Sequence, residues 1–186
     1  MAVKFTLPTY LTLLRIALIP LLAVVFYLPW EYARLACTII FAIAGLTDWL
    51  DGYLARKMGL ETAFGAFLDP VADKLMVAFV LILVVQAEAD PYLAIPAAII
   101  IGREITIASL REWMAEIGQR TKVKVSQLGK WKTTAQMLAI SFLLYKSELW
   151  GLPIFTIGYW LLYISAILTL WSMVNYLMAA LSTLKE

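Results

Sequence analysis

Apolar runs of about 20 residues recur along the chain and are separated only by short polar breaks. As an α-helix, a run of this length crosses the hydrocarbon core of a bilayer, which is about 30 Å thick. The mean hydropathy of +0.85 and the hydrophobic fraction of 63% agree, because a soluble domain is only about 45–50% apolar. We therefore predict an all-α, polytopic membrane protein.

The runs predict six transmembrane helices in a single bundle, formed by one domain that covers residues 1–186. We expect the first run to be a retained span and not a signal peptide, since no small-residue cleavage site follows it. The predicted spans are Leu7–Tyr27, Tyr32–Arg56, Phe64–Val85, Tyr92–Trp113, Trp131–Tyr145 and Ile154–Leu184.

The distribution of lysine and arginine predicts the orientation of this bundle. Residues 111–132 are rich in both, whereas the break "QAEADP" after the third span contains neither. By the positive-inside rule, both termini and the basic segment should face the cytoplasm. The net charge of +2 is too small to indicate a nucleic-acid partner.

Four aspartates lie at the ends of the second and third spans, where one isolated charge costs about 3 kcal/mol or more. Asp48 and Asp51 are three residues apart, and Asp69 and Asp73 are four apart, so each pair shares a helix face. Because consecutive spans run antiparallel, the two pairs should meet at one level of the bundle. Four carboxylates at this spacing repel one another unless cations lie between them.

Divalent metal would remove this repulsion. Hard oxygen ligands suit Mg²⁺ or Mn²⁺, and the chain contains no histidine that would favour a softer metal. A pair of ions that share carboxylates is suited to displacement at phosphorus. The neighbouring small residues would let a bulky ligand approach the helix backbones, and Arg56 offers a planar, charged fork for phosphate.

Together these residues resemble, at every fixed position, the signature of the CDP-alcohol phosphotransferase family: Asp48-x2-Asp51-Gly52-x2-Ala55-Arg56-x8-Gly65-x3-Asp69-x3-Asp73. The resemblance implies a membrane enzyme that uses an alcohol to displace CMP from a CDP-linked donor, with divalent metal. The metal ligands that it implies are Asp48, Asp51, Asp69 and Asp73, the last also as general base. The contacts to the CDP moiety that it implies are Gly52, Ala55, Arg56 and Gly65.

Three further stretches look like those family members in which CDP-diacylglycerol is the donor and sn-glycerol 3-phosphate the acceptor. They are "LPTYLTLLRIALIP" at 7–20, "GREITIASLREWMAEIG" at 102–118 and "GKWKTTAQM" at 129–137. The resemblance implies a homodimer in the bacterial inner membrane, with its active site at the cytoplasmic face.

The residues themselves also favour an anionic acceptor. Arg103 lies near the middle of the fourth span, and Arg111 follows roughly 12 Å further along the axis. An arginine at such depth normally faces the interior of the bundle and pairs with another group. With Lys130 and Lys132 at the start of the fifth span, these arginines are candidates for binding the acceptor phosphate.

Three alternatives stay open at this point. The enzyme could use another alcohol, such as serine, inositol phosphate or phosphatidylglycerol. The reaction could pass through a covalent phosphatidyl-enzyme, although no Ser or Cys with an activating base lies inside the motif. In a different class of protein, a cation-coupled transporter, the aspartates would bind the coupling ion.

Overall fold

The computed structural model describes residues 6–58, 62–118 and 127–183. Inside these ranges, side chains are described except at positions 8, 49, 51–56, 58, 63, 66, 127–131, 179, 180, 182 and 183.

Six α-helices make up nearly all of the described chain, which confirms the predicted all-α architecture. No strand occurs in the described ranges, where the nearest feature is an isolated bridge between Leu149 and Leu152 in a loop. The helices are α1 (Leu7–Tyr27), α2 (Ala33–Met58), α3 (Ala63–Glu88), α4 (Pro91–Glu116), α5 (Gln127–Tyr145) and α6 (Ile154–Thr183).

Local capping, and not hydropathy, decides where α3 begins and where α3 gives way to α4. The Thr62 side chain accepts a hydrogen bond from the Gly65 amide at the start of α3. At the other end of α3, Ala89 adopts a left-handed conformation with φ of 50°. Asp90 then caps α4 by accepting from the Tyr92 amide. A connection this short forces α3 and α4 to be antiparallel neighbours.

The helices share one apolar core. α1 packs against α2 and α3, α5 and α6 form a hairpin, and α4 packs against α3 and α6. α5 also contacts α2, which closes the bundle around the core. The buried side chains at its centre include Leu22, Phe41, Val80, Ile100, Leu143 and Leu162.

The outer surface of the bundle is apolar as well. On α6, Trp160, Ile164, Ile167 and Trp171 are all exposed on the single chain. Contiguous exposed apolar area of this extent marks a surface that faces lipid or another protein. Within the described residues, α1, α4 and α6 contain segments long and apolar enough to cross a membrane. These helices identify a membrane protein, while the count of six spans stays a prediction.

An ion-pair cluster ties the helices together at the end where positive charge is scarce. Glu88 accepts hydrogen bonds from Lys146 at 2.8 and 2.9 Å and from Arg34 at 3.4 Å. Both cations of this end therefore pair with the same carboxylate. The orientation of the bundle in the membrane stays a prediction.

Close packing between α5 and α6 predicts a sensitive position at Gly158. A Cβ built there would lie 2.8 Å from Phe142 Cβ and 3.1 Å from both the Ala139 carbonyl oxygen and the Leu143 amide nitrogen. Gly158→Ala should therefore destabilise the protein by about 1–3 kcal/mol, because the two helices must move apart. The measurement is the melting temperature in detergent, followed by tryptophan fluorescence.

Gly102→Ala is the matched control. It is also a helical glycine, but nothing lies within 4 Å of its added Cβ. We expect its melting temperature to be unchanged or slightly higher, since alanine is the better helix former. Equal melting temperatures for the two variants would contradict the packing argument.

Candidate active site

Two residues of α1 engage the aspartates of α2 and α3. Arg15 is almost fully buried, with 1% of its side chain exposed, and its Nη1 atom lies 2.7 Å from Asp48 Oδ1. One turn earlier, the Thr12 hydroxyl donates a hydrogen bond to Asp69. Because Thr12 and Arg15 are three residues apart, they share one face of α1. That face therefore lies between the two aspartate-bearing helices.

Asp73 belongs to the same neighbourhood. It is within electrostatic range of Asp48 and Arg15, and it lines a small cavity together with Arg15 and Met137. The three motif aspartates with described side chains are therefore grouped around a single turn of α1. The side chains of Asp51, Gly52, Ala55 and Arg56 lie outside the described set, although their backbone belongs to α2.

Gly65 lies where α3 meets α1. A Cβ at this position would be 3.0 Å from the Thr62 hydroxyl oxygen and 3.6 Å from that of Thr9. A larger residue would therefore require the Thr62 hydroxyl to shift by a few tenths of an ångström, so packing at the start of α3 already favours glycine. The predicted contact with a nucleotide is compatible with this packing but is not needed to explain the glycine.

The donor chemistry of this cluster fits a hard divalent cation. All four motif positions carry carboxylates, and Asp48 keeps 44% of its side chain exposed even though Arg15 binds one of its oxygens. Among the described side chains, no three acidic, cysteine or histidine groups lie close enough together to enclose a metal ion. Asp51, the fourth predicted ligand, falls outside that set.

A second, larger cavity of about 220 Å³ opens on the other side of Asp73. Lys132 of α5 and the two arginines of α4 predicted to bind phosphate all line it. Lys130 was predicted with them, but its side chain lies outside the described set. The polar and charged lining residues are Asp73, Lys74, Arg103, Glu104, Arg111, Lys132, Thr133, Gln136 and Tyr176.

Glu104 holds the cations of this cavity in place. Its Oε1 atom accepts hydrogen bonds from Lys132 Nζ at 2.7 Å and from Arg103 Nη1 at 3.1 Å. Arg103 and Lys132 are both buried, with 8% and 5% of their side chains exposed. One carboxylate is thus shared by two buried cations on two helices, which joins α4 to α5.

The two arginines also have partners on α6, and the sequence did not predict these partners. Arg103 Nη2 donates to the Ser172 hydroxyl at 3.0 Å. The guanidinium carbons of Arg103 and Arg111 lie 5.7 and 5.6 Å from the centre of the Tyr176 ring, within range of a cation–π interaction. One sequence pattern could have indicated that this face of α6 is buried against polar groups. It is a stripe of polar residues at helical spacing in an apolar run, formed by Ser165, Thr169, Ser172 and Tyr176.

Comparison with known proteins identifies the family to which this arrangement belongs. The family model described as CDP-alcohol phosphatidyltransferase matches residues 5–171, which is most of the chain. The chain belongs to the CDP-alcohol phosphatidyltransferase family. This assignment confirms the resemblance drawn from the aspartate motif. Members of the family are generally metal-dependent, in keeping with the carboxylate cluster.

Relatives within the CDP-alcohol phosphatidyltransferase family match over nearly their whole length. A protein of Haemophilus influenzae is 54% identical over 183 residues, which are 98% of this chain and 97% of its own. A protein of Salmonella typhimurium is 51% identical over 95% of this chain and 96% of its own. One from Shigella flexneri is 49% identical over 98% and 99%. All three are named CDP-diacylglycerol–glycerol-3-phosphate 3-phosphatidyltransferase.

The Glu104 ion pairs make an asymmetric prediction about stability. Glu104→Gln leaves Arg103 and Lys132 buried without their shared acid, whereas Lys132→Met leaves Glu104 still paired with Arg103. We expect Glu104→Gln to be the less stable of the two, by about 1–3 kcal/mol, because an uncompensated buried charge is the costly product. Melting temperatures in detergent provide the comparison.

Added inorganic phosphate should reduce this difference, since an anion bound in the cavity replaces the missing carboxylate. A Lys132→Met protein that melts below Glu104→Gln would contradict the proposed role of Glu104 as the shared acid.

Proposed function

We propose that this protein transfers the phosphatidyl group from CDP-diacylglycerol to sn-glycerol 3-phosphate, which gives phosphatidylglycerophosphate and CMP. The relatives that share about half of its residues carry the name of this activity. The observation that carries the proposal is the cavity in which Arg103, Arg111 and Lys132 face Asp73. It combines a site for a phosphate with a carboxylate that can receive a proton.

The donor side of the site is the aspartate cluster. In this proposal Asp48, Asp51, Asp69 and Asp73 hold two Mg²⁺ or Mn²⁺ ions, which would offset the negative charge of the pyrophosphate and of the leaving CMP. The residues proposed to contact the CDP moiety are Gly52, Ala55, Arg56 and Gly65. Arg15 and Thr12 are proposed to position the aspartates, because each donates a hydrogen bond from α1 to one of them.

The acceptor side is the cationic cavity. Arg103 and Arg111 offer planar forks that match phosphate geometry, and Lys132 adds a point charge beside them. Lys130 is proposed as a further contact at the start of α5. A neutral alcohol such as glycerol would gain nothing from three cations, so the charge of the cavity supports a phosphate-bearing acceptor. The names of the relatives then favour glycerol 3-phosphate over inositol phosphate.

The proposed chemistry is one in-line displacement. The 1-hydroxyl oxygen of glycerol 3-phosphate attacks the β-phosphorus of CDP-diacylglycerol, and its proton passes to Asp73. As the new P–O bond forms, the bond from the β-phosphorus to the bridging oxygen breaks and CMP leaves with that oxygen. A carboxylate is a weak base towards an alcohol, so proton transfer should occur late, when the attacking oxygen has become acidic.

The proposal includes the setting of the enzyme. Residues 1–186 form one domain of six transmembrane helices, with both termini in the cytoplasm. The aspartates and the cationic cavity then face the cytoplasm across the bacterial inner membrane, where the water-soluble acceptor is available. We propose a homodimer in this membrane, surrounded by phospholipid.

A comparison of acceptors in one assay tests the function. Purified protein in detergent receives CDP-diacylglycerol, Mg²⁺ and one acceptor at a time: glycerol 3-phosphate, serine, inositol phosphate or phosphatidylglycerol. We expect metal-dependent release of CMP with glycerol 3-phosphate alone, with phosphatidylglycerophosphate as the lipid product. Another preferred acceptor would overturn the assignment, and so would the absence of CMP release with every acceptor.

Asp73→Asn tests the proposed base and metal ligand. We expect kcat to fall by at least about 10²–10⁴, because the amide cannot take a proton and is a poorer ligand for metal. Asp90→Asn is the matched control: it makes the same chemical change at the start of α4, and asparagine caps a helix as well as aspartate does. Near-normal turnover of Asp73→Asn would eliminate Asp73 as the base.

A further inference from the structure

The cationic cavity contains a buried polar side chain that is neither a cation nor an acid. Gln136 on α5 is buried, with 5% of the residue exposed, and it lines the cavity. Its Oε1 atom has no hydrogen-bond partner among the residues that the structure describes. A buried amide oxygen without a partner is unfavourable, and native proteins keep such groups where a ligand or water completes them.

Gln136 lies between the proposed phosphate contact, Lys132, and the proposed base, Asp73. It lies four residues after Lys132 on α5, so the two side chains share a face about 6 Å apart along the axis. Its neighbour Met137 lines the small cavity to which Asp73 and Arg15 also belong. This turn of α5 therefore faces the proposed base, one turn deeper than the proposed phosphate contact.

The chemistry of the acceptor fits this spacing. Glycerol 3-phosphate carries its phosphate and its reacting hydroxyl on opposite terminal carbons, with the 2-hydroxyl on the carbon between them. An acceptor that extends from Lys132 towards Asp73 must bring this middle hydroxyl past the same turn of α5. Val77 and Met137 also line the cavity but are apolar and cannot bind it. Lys74 and Thr133 are polar, but among the described lining residues Gln136 Oε1 is the buried acceptor without a hydrogen-bond partner.

We propose that Gln136 determines specificity by accepting a hydrogen bond from the 2-hydroxyl of the acceptor. This inference rests on the proposed function, because it names the group that the same cavity recognises besides phosphate. A site built to bind a hydroxyl discriminates against the analogue that lacks it, since the buried polar group of the protein is then left without a partner.

The test compares two acceptors that differ only at that hydroxyl, glycerol 3-phosphate and 3-hydroxypropyl phosphate. Both carry a phosphate and a primary alcohol on a three-carbon chain. For the wild-type enzyme we expect kcat/KM to favour glycerol 3-phosphate roughly ten- to hundredfold. In Gln136→Met, which keeps the length of the side chain but removes the amide, the ratio should fall to about one. In this variant kcat/KM should fall for glycerol 3-phosphate and stay unchanged for 3-hydroxypropyl phosphate.

Met137→Leu is the matched control, because it changes an apolar lining residue on the same turn and should affect both acceptors equally. If Gln136→Met does not accumulate as folded protein, Gln136→Asn gives the same comparison, since it withdraws the amide by one methylene. A wild-type enzyme that uses both acceptors equally well would overturn the inference without any variant. So would an unchanged ratio in Gln136→Met. No product from either acceptor would instead overturn the proposed function.

Discussion

Neutralisation of buried charge is the constraint on which this bundle depends. An unpaired charge among apolar helices costs several times the thermal energy, so each must find a partner on another element. Arg15 pairs with Asp48 across α1 and α2, and Glu104 pairs with Lys132 across α4 and α5. Glu88 binds Arg34 of α2 and Lys146, which follows α5. Apolar packing has little direction by itself, so these pairs restrict the relative height of the helices that they join.

The same constraint separates two charge systems within the site. The aspartates of α2 and α3 surround Thr12 and Arg15 and carry excess negative charge. The cavity among α3 to α6 is lined by more cations than acids. Asp73 belongs to both systems, because it lines the small cavity with Arg15 and the larger one with Arg103. Such an arrangement suits the proposed reaction between two anionic substrates, because one end would attract metal and pyrophosphate and the other would attract the acceptor.

Hydropathy predicted the helices well because their lengths are fixed by the bilayer. α1 has the predicted ends, and α3 extends three residues past its predicted end at Val85 to Glu88. Hydropathy did not predict that extension, because the helix ends where the backbone of Ala89 turns left-handed, and hydropathy does not report backbone conformation. The motif spacing also predicted correctly that aspartates from two helices meet. It did not predict that α1 lies between them, since helical periodicity shows which residues share a face but not which helix covers that face.

The partners on α6 show the same limit. Ser172 and Tyr176 lie about 70 residues from Arg103 in the chain, and a polar stripe alone does not say what it contacts. Glu104 directly follows Arg103 in the chain, but consecutive residues on a helix diverge by about 100°, so adjacency alone does not predict that they pair. The structure shows that Lys132, which approaches from α5, makes the carboxylate a shared acid. The role of each residue thus came from tertiary neighbours, while the sequence supplied the list of candidates.

Glu104 is at first unexpected in a cavity proposed to bind phosphate, because it repels the ligand that the cavity should attract. Without it, Arg103 and Lys132 would be two buried cations side by side before any substrate arrived. Arg111 is different: it is exposed, and in the described part of the chain it rests on Tyr176 without an ion-pair partner. In the proposed function, an incoming phosphate would therefore pair with Arg111 without displacing an acid, and would then compete with Glu104 for the other two. The acid stabilises the empty site, and the surplus of cations keeps the cavity positive enough to bind an anion.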